Sequence, residues 1–147
     1  MLLGVAIALP VSADAPIDQY EGFVSGNTTI TDHYTRLVWE RPGTYPAAMK
    51  FTDAKAHCSA LGAFRLPSMK ELLTIVDETP HDEYEVDHAV PHFIDQSAFR
   101  STPAEAFWTS SMKDSNNAWT VDFGTGGTGD AQISGDQRRV RCVQYKP

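Results

Sequence analysis

The chain has 147 residues, of which 41% are hydrophobic and 21% are charged, and its formal net charge is −7. This length suits one globular domain, and the composition excludes a disordered or fibrous chain. The negative charge disfavours binding to nucleic acid or anionic lipid, which are themselves negative. The basic cluster Arg138, Arg139 and Arg141 does not form a broad stripe, because strand alternation places Arg138 opposite the other two. We therefore expect one domain with no nucleic-acid partner.

Residues 1–13 have the pattern of a secretory signal peptide. An apolar run from Leu2 to Leu9 precedes Pro10 and the small-residue site Val11-Ser12-Ala13. The run is too short to span a bilayer, so the protein is expected to be exported, to the periplasm, the cell surface or the medium of a bacterium, and not membrane-spanning. A signal peptide usually begins with a basic residue, but the first basic residue of this chain is Arg36. We therefore expect a misassigned start or a truncated fragment. The alternative is a buried apolar strand.

The domain is predicted to occupy residues 28–147, after a linker over residues 14–27. Two β-favouring runs, Thr28 to Thr31 and Leu37 to Trp39, flank a polar turn and predict a hairpin. The sequence Arg41-Pro42-Gly43 ends the second strand, because proline and glycine interrupt a regular ladder.

Two helices are predicted in the next segment. The first runs from Thr52 to Gly62, with an acidic residue in its first turn. The second follows Pro67, where Ser68 as N-cap and Glu71 three residues later form a capping box. Each helix has an apolar face that predicts core contacts: Ala54, Cys58 and Leu61 on the first, and Met69, Leu72, Leu73 and Val76 on the second.

The remainder of the chain changes to loop and strand character. The polar, acidic segment from Asp77 to Gln96 contains two prolines and predicts a long loop. Strands are predicted at Phe107 to Thr109, Trp119 to Phe123 and Val140 to Val143, with a flexible glycine-rich connection from Gly124 to Gly135. Early helices and late antiparallel strands indicate an α+β domain.

The two cysteines, Cys58 and Cys142, are predicted to form one disulfide. An oxidising compartment turns an even pair of thiols into a bridge. With Cys58 on the first helix and Cys142 on the last strand, that bridge would clamp the helix against the strand. The alternative is two separate buried thiols.

Residues 64–72, Phe-Arg-Leu-Pro-Ser-Met-Lys-Glu-Leu, resemble the W-R-L-P-[ST]-x-x-E-L signature of the Lcl C-terminal domain family, named for a collagen-like adhesin of Legionella. The resemblance covers about Thr28 to Val143. It departs from the family at Arg36, usually glycine, and at Phe64, usually tryptophan. The matching landmarks are Asp32, 37–39, 54–58, 94–99, 107–111, 118–119 and 140–143.

The resemblance implies a C-type-lectin-like fold related to formylglycine-generating enzymes, with two helices packed on antiparallel sheets and a helix-to-last-strand disulfide. Within the signature, Glu71 is expected to cap its helix and Arg65 to anchor buried backbone or carboxylates, so neither is expected to be catalytic. The structural motif comprises Arg65, Leu66, Pro67, Ser68 and Glu71 with the core aromatics Trp39, Trp108 and Trp119. An exposed tryptophan beside the late loops would be able to stack on a sugar.

The function that this scaffold favours is an exported, non-enzymatic recognition or adhesion module. Its ligand would be a carbohydrate, a peptide or a cell-surface partner, bound by loops near residues 77–96 and 114–136. The adhesin relative binds sulfated polysaccharide, which a net charge of −7 disfavours here. The alternatives are a metal-dependent or oxidase-like enzyme and a structural envelope protein; an oxidase-like enzyme would need redox-active cysteines beyond the predicted bridge.

No cofactor or metal is expected, although one segment holds metal-ligating residue types. His88, His92 and Asp95 are the candidates, and a four-residue spacing of the histidines would suit Zn²⁺ on a helix. Pro91 lies between them and opposes a regular helix. Calcium is the other cation considered, because carboxylates are plentiful there, but the sugar-binding strings of calcium-dependent lectins are missing.

Overall fold

The computed structural model describes residues 15–16, 18–22, 26–85 and 88–146, and for residues 83–85 and 88 it describes the backbone. The predicted signal peptide, residues 1–13, lies outside the described residues. The described ranges form two helices and three antiparallel sheets, which confirms the α+β class. Within them, neither helix is long and apolar enough to cross a membrane.

The elements follow one another in an order that places both helices between the first hairpin and the later sheets. In chain order they are β1 (Tyr20–Glu21), β2 (Thr29–Asp32), β3 (Leu37–Glu40), α1 (Phe51–Ala60), α2 (Met69–Leu73), β4 (His81–Glu85), β5 (His88–His92), β6 (Ala106–Met112), β7 (Asn117–Asp122), β8 (Thr128–Gln132) and β9 (Val143–Tyr145).

The predicted first hairpin is confirmed and forms the centre of a four-stranded sheet in the order β1-β2-β3-β9. Ile30 and Trp39 face each other across it and are fully buried. In the turn, the Asp32 carboxylate accepts the backbone N–H of Tyr34 at 2.9 Å. Arg36, where the family usually has glycine, adopts a φ of 59°, a conformation that costs a side-chain-bearing residue about 1 kcal/mol. Part of the range assigned to a linker, β1, is an edge strand of this sheet.

The prediction of a long loop over residues 77–96 is wrong, because β4 and β5 pair as an antiparallel hairpin. Pro91 lies in β5 opposite Asp82. Both strands of a two-stranded sheet are edges, so a residue without an N–H donor is tolerated there. The polar composition that suggested a loop is also compatible with a two-stranded hairpin.

The third sheet, β6-β7-β8, is made by the late strands. The predicted strands at 107–109 and 119–123 fall on β6 and β7, but the flexible connection over 124–135 is wrong for residues 128–132, which form β8. A tight turn returns the chain, since the N–H of Asp122 donates to the carbonyl of Gly127 at 2.9 Å. Gly126 adopts a φ of 68° in this turn, where glycine is unstrained.

The helices differ in how well their ends were predicted. The capping box of α2 is confirmed, with the N–H of Glu71 donating to Ser68 Oγ at 3.2 Å and the N–H of Ser68 to Glu71 Oε2 at 2.7 Å. Helix α1 begins at Phe51 with no side-chain cap, one residue before the predicted start. Leu61 is 43% exposed, so its prediction as a core residue is wrong: the helix ends at Ala60 and Leu61 turns outward as the C-cap.

Two buried clusters form the core, and the disulfide lies in the smaller one. Cys58 and Cys142 are bonded and fully buried, which confirms the predicted bridge. Cys142 lies one residue before β9, so the bridge ties α1 to the entry of the last strand rather than to a strand over 140–143. The cluster around it comprises Phe51, Ala54, Leu66, Trp108, Ala118, Ala131 and Val140.

Replacing both cysteines by alanine is expected to lower the free energy of unfolding by about 4 to 5 kcal/mol. The bridge closes a loop of 84 residues, and in the chain-entropy model that closure removes many conformations from the unfolded chain. Urea unfolding of the double variant measures the change. A Ser59→Ala variant, on the exposed side of the same helix, serves as the control. A loss below about 1 kcal/mol would contradict the expectation.

Candidate ligand-binding surface

The signature residues 65–71 lie along the last strand. The backbone of Arg65 exchanges two hydrogen bonds with Val143, each 2.9 Å long. Leu66 and Pro67 are buried behind this pairing. The next residues enter α2, which packs on β6 and β7, so the motif connects this helix to β9 through Arg65. That the motif is structural rather than functional stays a prediction.

Arg65 and Glu71 form a bidentate ion pair at the surface end of the motif. Arg65 Nη1 donates to Glu71 Oε2 at 2.9 Å, and Nη2 donates to Oε1 at 2.7 Å. Hydrogen bonds from Arg65, and then from the backbone and side chain of Ser68, lower the pKa of Glu71 to about 2. The same pairing raises the pKa of Arg65. Both groups are therefore charged throughout the neutral range.

Tyr145, the last residue of β9, is held by this pair while its ring stays open to solvent. The Arg65 guanidinium carbon lies 5.2 Å from the ring centroid, and the tyrosine hydroxyl donates to Glu71 Oε1 at 3.3 Å. The side chain is nevertheless 65% exposed. Since Arg65 covers one face of the ring, the opposite face and the edge supply that exposure.

A cleft of about 210 Å³ opens beside Tyr145 and is bordered by groups of mixed chemistry. Its polar lining residues include Thr35, Lys70 and Thr74. A second cleft, of about 300 Å³, is lined by Asp32, His33, Arg36 and Lys146. The two clefts are neighbours along the chain, because Thr35 and Tyr145 line the first while the next residues, Arg36 and Lys146, line the second. The N–H of Lys146 donates to the Arg36 carbonyl at 2.9 Å. We call the two clefts together the tyrosine surface.

The three tryptophans named in the sequence analysis do not share one environment. Trp39 and Trp108 are fully buried core residues, and Trp108 Nε1 donates to the Met49 carbonyl at 2.8 Å. Trp119 is partly exposed, with Lys113 Nζ 5.6 Å from its ring centroid. Lys113 is itself tied to Asp130 at 2.7 Å. The ion pair covers the ring, so Trp119 is less accessible to a flat ligand than Tyr145.

The candidate metal ligands are engaged in local structure. Gln96 Nε2 lies 2.6 Å from Nδ1 of the buried His92, and Asp95 Oδ1 accepts the N–H of Ser97 at 2.7 Å. The side chain of His88 lies outside the described part of the chain.

Among the described side chains, one group has the spacing of metal ligands: Glu40, His57 and Cys142, whose ligand atoms lie within 4.8 Å of one another. The sulfur of this group belongs to the disulfide. A thiolate is the form of cysteine that binds metal, so the oxidised protein offers two ligands there at most.

Sequence reasoning missed Tyr145 and Lys70, which complete the surface begun by Arg65 and Glu71. Lys70 lies inside the signature at one of its variable positions. Tyr145 follows the last landmark by two residues, at a strand position where alternation indicates that Val143 and Tyr145 share a side. That alternation was the available signal for Tyr145. Val143 is nevertheless buried and Tyr145 exposed, because the strand extends beyond the edge of the core.

A family model described as the Lcl C-terminal domain matches residues 28–144. Comparison with curated proteins gives no match, and comparison with solved structures gives none either. The matched range contains both cysteines, both helices and the first two residues of β9.

Glu71→Gln is expected to lower the free energy of unfolding by about 1 to 2 kcal/mol at pH 7. Glutamine can keep the capping box but loses the charge pair with Arg65, and solvent around the half-exposed arginine weakens that pair. The pKa of Glu71 is lower in the folded state, so its contribution is complete above the ordinary value of 4.5 and is lost as the pH falls towards about 2. Thermal unfolding across that range measures the difference. The exposed Glu78→Gln provides the control, and a difference independent of pH would argue against the ion pair.

Proposed function

This chain belongs to the Lcl C-terminal domain family, and on that premise we propose that it is an exported recognition module that binds a carbohydrate at the tyrosine surface without catalysing a reaction. The family fits a surface or exported module. A buried disulfide supports export, because such bonds persist in oxidising compartments. The α+β architecture and the position of that bridge support the C-type-lectin-like scaffold expected from the resemblance.

The observation that carries the proposal is an exposed aromatic ring held rigidly beside a polar cleft. A pyranose presents a flat face of C–H groups that packs on an aromatic ring, and hydroxyls around its rim that need hydrogen-bond partners. Tyr145 supplies the ring, while Thr35, Thr74 and Lys70 supply polar partners at its side. The hydrogen bond to Glu71 and the contact with Arg65 fix the ring, so little conformational entropy is lost on binding.

The cationic side chains beside the tyrosine surface differ in sign from the net charge of the chain. The net charge of −7 repels a polyanion at long range. Arg36, Lys70 and Lys146 nevertheless border the two clefts of this surface. A neutral and an acidic sugar therefore both belong in the binding test, and an acidic one should bind more weakly as salt is added.

The interactions of the ionisable side chains support a non-catalytic role for the protein. Arg65, whose backbone pairs with β9, forms an ion pair with Glu71 of α2, and Arg139 pairs with Glu105 at 2.8 Å to fasten the chain before the last strand. Both cysteines are used in the bridge. A metal-dependent enzyme is the rival: stoichiometric zinc or copper in untagged protein, lost on substitution of His88 or His92, would favour it. Binding screens that stay empty would favour a structural envelope protein.

Tyr145→Ala is expected to weaken glycan binding at least about tenfold, because the stacking ring is the largest apolar contact offered by the surface. Tyr145→Phe keeps the ring and should retain binding. Tyr34 is 67% exposed but lines neither cleft, so Tyr34→Ala is the matched control. A glycan array selects the ligand, and calorimetry with the selected glycan compares the variants.

The tyrosine surface would be the wrong site if Tyr145→Ala and Lys70→Ala both bound the selected glycan like the unaltered protein while Trp119→Ala did not. Thermal unfolding of each variant separates lost binding from lost folding. Because Tyr145 is mostly exposed, its replacement is expected to change the melting temperature little.

A further inference from the structure

The end of β3 carries a buried cation without an ion-pair partner. Arg41 is 4% exposed. Its Nε donates to the Ala98 carbonyl at 2.8 Å and its Nη2 to the Ser97 carbonyl at 3.4 Å. Within the described part of the chain, Nη1 has no acceptor and no carboxylate pairs with this guanidinium. A buried charge normally has such a partner, so its lack marks a place where an anion would be stabilised.

A second arginine, Arg100, lies on the loop that Arg41 contacts. The carbonyls that Arg41 binds belong to the loop over residues 95–102, and this loop presents Arg100, which is exposed. Burial and the neighbouring charge of Arg100 both lower the pKa of Arg41. Two like charges held together in an acidic protein cost free energy, and an anion between them would relieve that cost.

Both arginines line a cleft of about 100 Å³. Gly26, Asn27, Thr28 and Gly43 complete it with Pro42. A β-carbon placed on Gly26 or on Gly43 would meet no heavy atom within 4 Å, so the space above them is open. The volume suits a single small oxyanion rather than an extended ligand.

An apolar cleft of about 320 Å³ adjoins the cationic one and shares Thr28 and Pro42 with it. Its apolar lining includes Phe64 and Leu61, a leucine that is 43% exposed. Glu40 also lines it, with one oxygen accepting from the N–H of Cys142 at 3.1 Å and the other 3.2 Å from His57 Nε2. That negative charge repels a carboxylate from the apolar cleft, while the arginines attract it to the other.

We propose that the paired clefts bind a peptide carboxyl terminus whose last side chain is apolar, with the carboxylate between Arg41 and Arg100 and the side chain against Leu61 and Phe64. A planar carboxylate matches the fork of guanidinium donors. The adjoining apolar cleft favours a carboxylate joined to an aliphatic group over an inorganic anion. The glycines leave the backbone open to the ligand's last peptide unit. This site is distinct from the tyrosine surface.

The test uses an acetylated tripeptide, Gly-Gly-Leu, with a free carboxyl terminus, titrated into the full chain by calorimetry and by backbone amide shifts in NMR. Binding should shift the amides of Gly26 and Gly43. The C-terminal amide of the same peptide should bind at least about tenfold more weakly, since it lacks the charge that pairs with the arginines. Sulfate should also bind more weakly than the free acid, because it leaves the apolar cleft empty.

Arg100→Ala removes an exposed side chain and is expected to weaken the free acid about tenfold. Gly43→Leu keeps both arginines and has no left-handed backbone angle to strain, but it fills the cleft and should abolish binding. Lys70→Ala removes the same charge from the tyrosine surface and should leave this binding unchanged. The proposal would be overturned if the free acid and the amide of the peptide bound equally, or if sulfate bound as tightly as the free acid. It would also be overturned if binding of the free acid were unchanged in both Arg100→Ala and Gly43→Leu.

Discussion

The guanidinium of Arg141 is fully buried, and the described residues place no carboxylate within ion-pair distance of it. Burying an unpaired charge costs several kcal/mol unless its donors are satisfied, and burial lowers the pKa of this group. Nη1 donates to the Glu40 carbonyl at 3.2 Å, and Nη2 donates to Thr102 Oγ1 at 2.6 Å and to the Tyr45 hydroxyl. The ring of Phe99 lies 4.6 Å from the guanidinium carbon. Segments far apart in the chain must therefore meet around this side chain.

The neighbours of Arg141 extend the same constraint to the rest of the molecule. Val140 packs in the core cluster of the disulfide, Cys142 is bonded to α1, and Val143 pairs with Arg65. Successive residues thus hold different elements in place. Tyr145 is the end of this segment, so its ring is presented at a defined position although it is itself exposed. The position of Tyr145 therefore depends on buried contacts made by the residues that precede it.

Local patterns were enough to predict the features that depend on local interactions. The capping box of Ser68 and Glu71 needs two residues three positions apart, and the first hairpin needs two apolar runs around a turn. The disulfide followed from the number of cysteines and the expected compartment. By contrast, β4 and β8 are mostly polar and β5 contains a proline, so β propensity did not indicate these strands. The burial of Arg141 has no sequence pattern, because only the meeting of distant carbonyls and hydroxyls makes it tolerable.

The candidate surface was predictable to the same extent. The signature was enough to predict that Glu71 caps its helix, whereas its ion pair with Arg65 is visible only in the folded chain. The clefts beside them were not predictable, since they arise where the first hairpin, α2 and the last strand meet. Only the folded chain brings Lys70 of one element beside Tyr145 of another.

The distribution of the acidic residues explains why net charge alone is a poor guide to what this protein binds. Several aspartates accept backbone N–H groups in turns, a role that short carboxylate side chains perform well. They are Asp32, Asp95, Asp114 and Asp122. Because each of these aspartates stabilises a different turn, their negative charges are spread along the chain. Cations such as Arg41 and Arg100 can then determine the local potential within a Debye length of about 10 Å, whatever the total charge of the chain. Each surface of this protein therefore attracts or repels a charged ligand according to its own side chains.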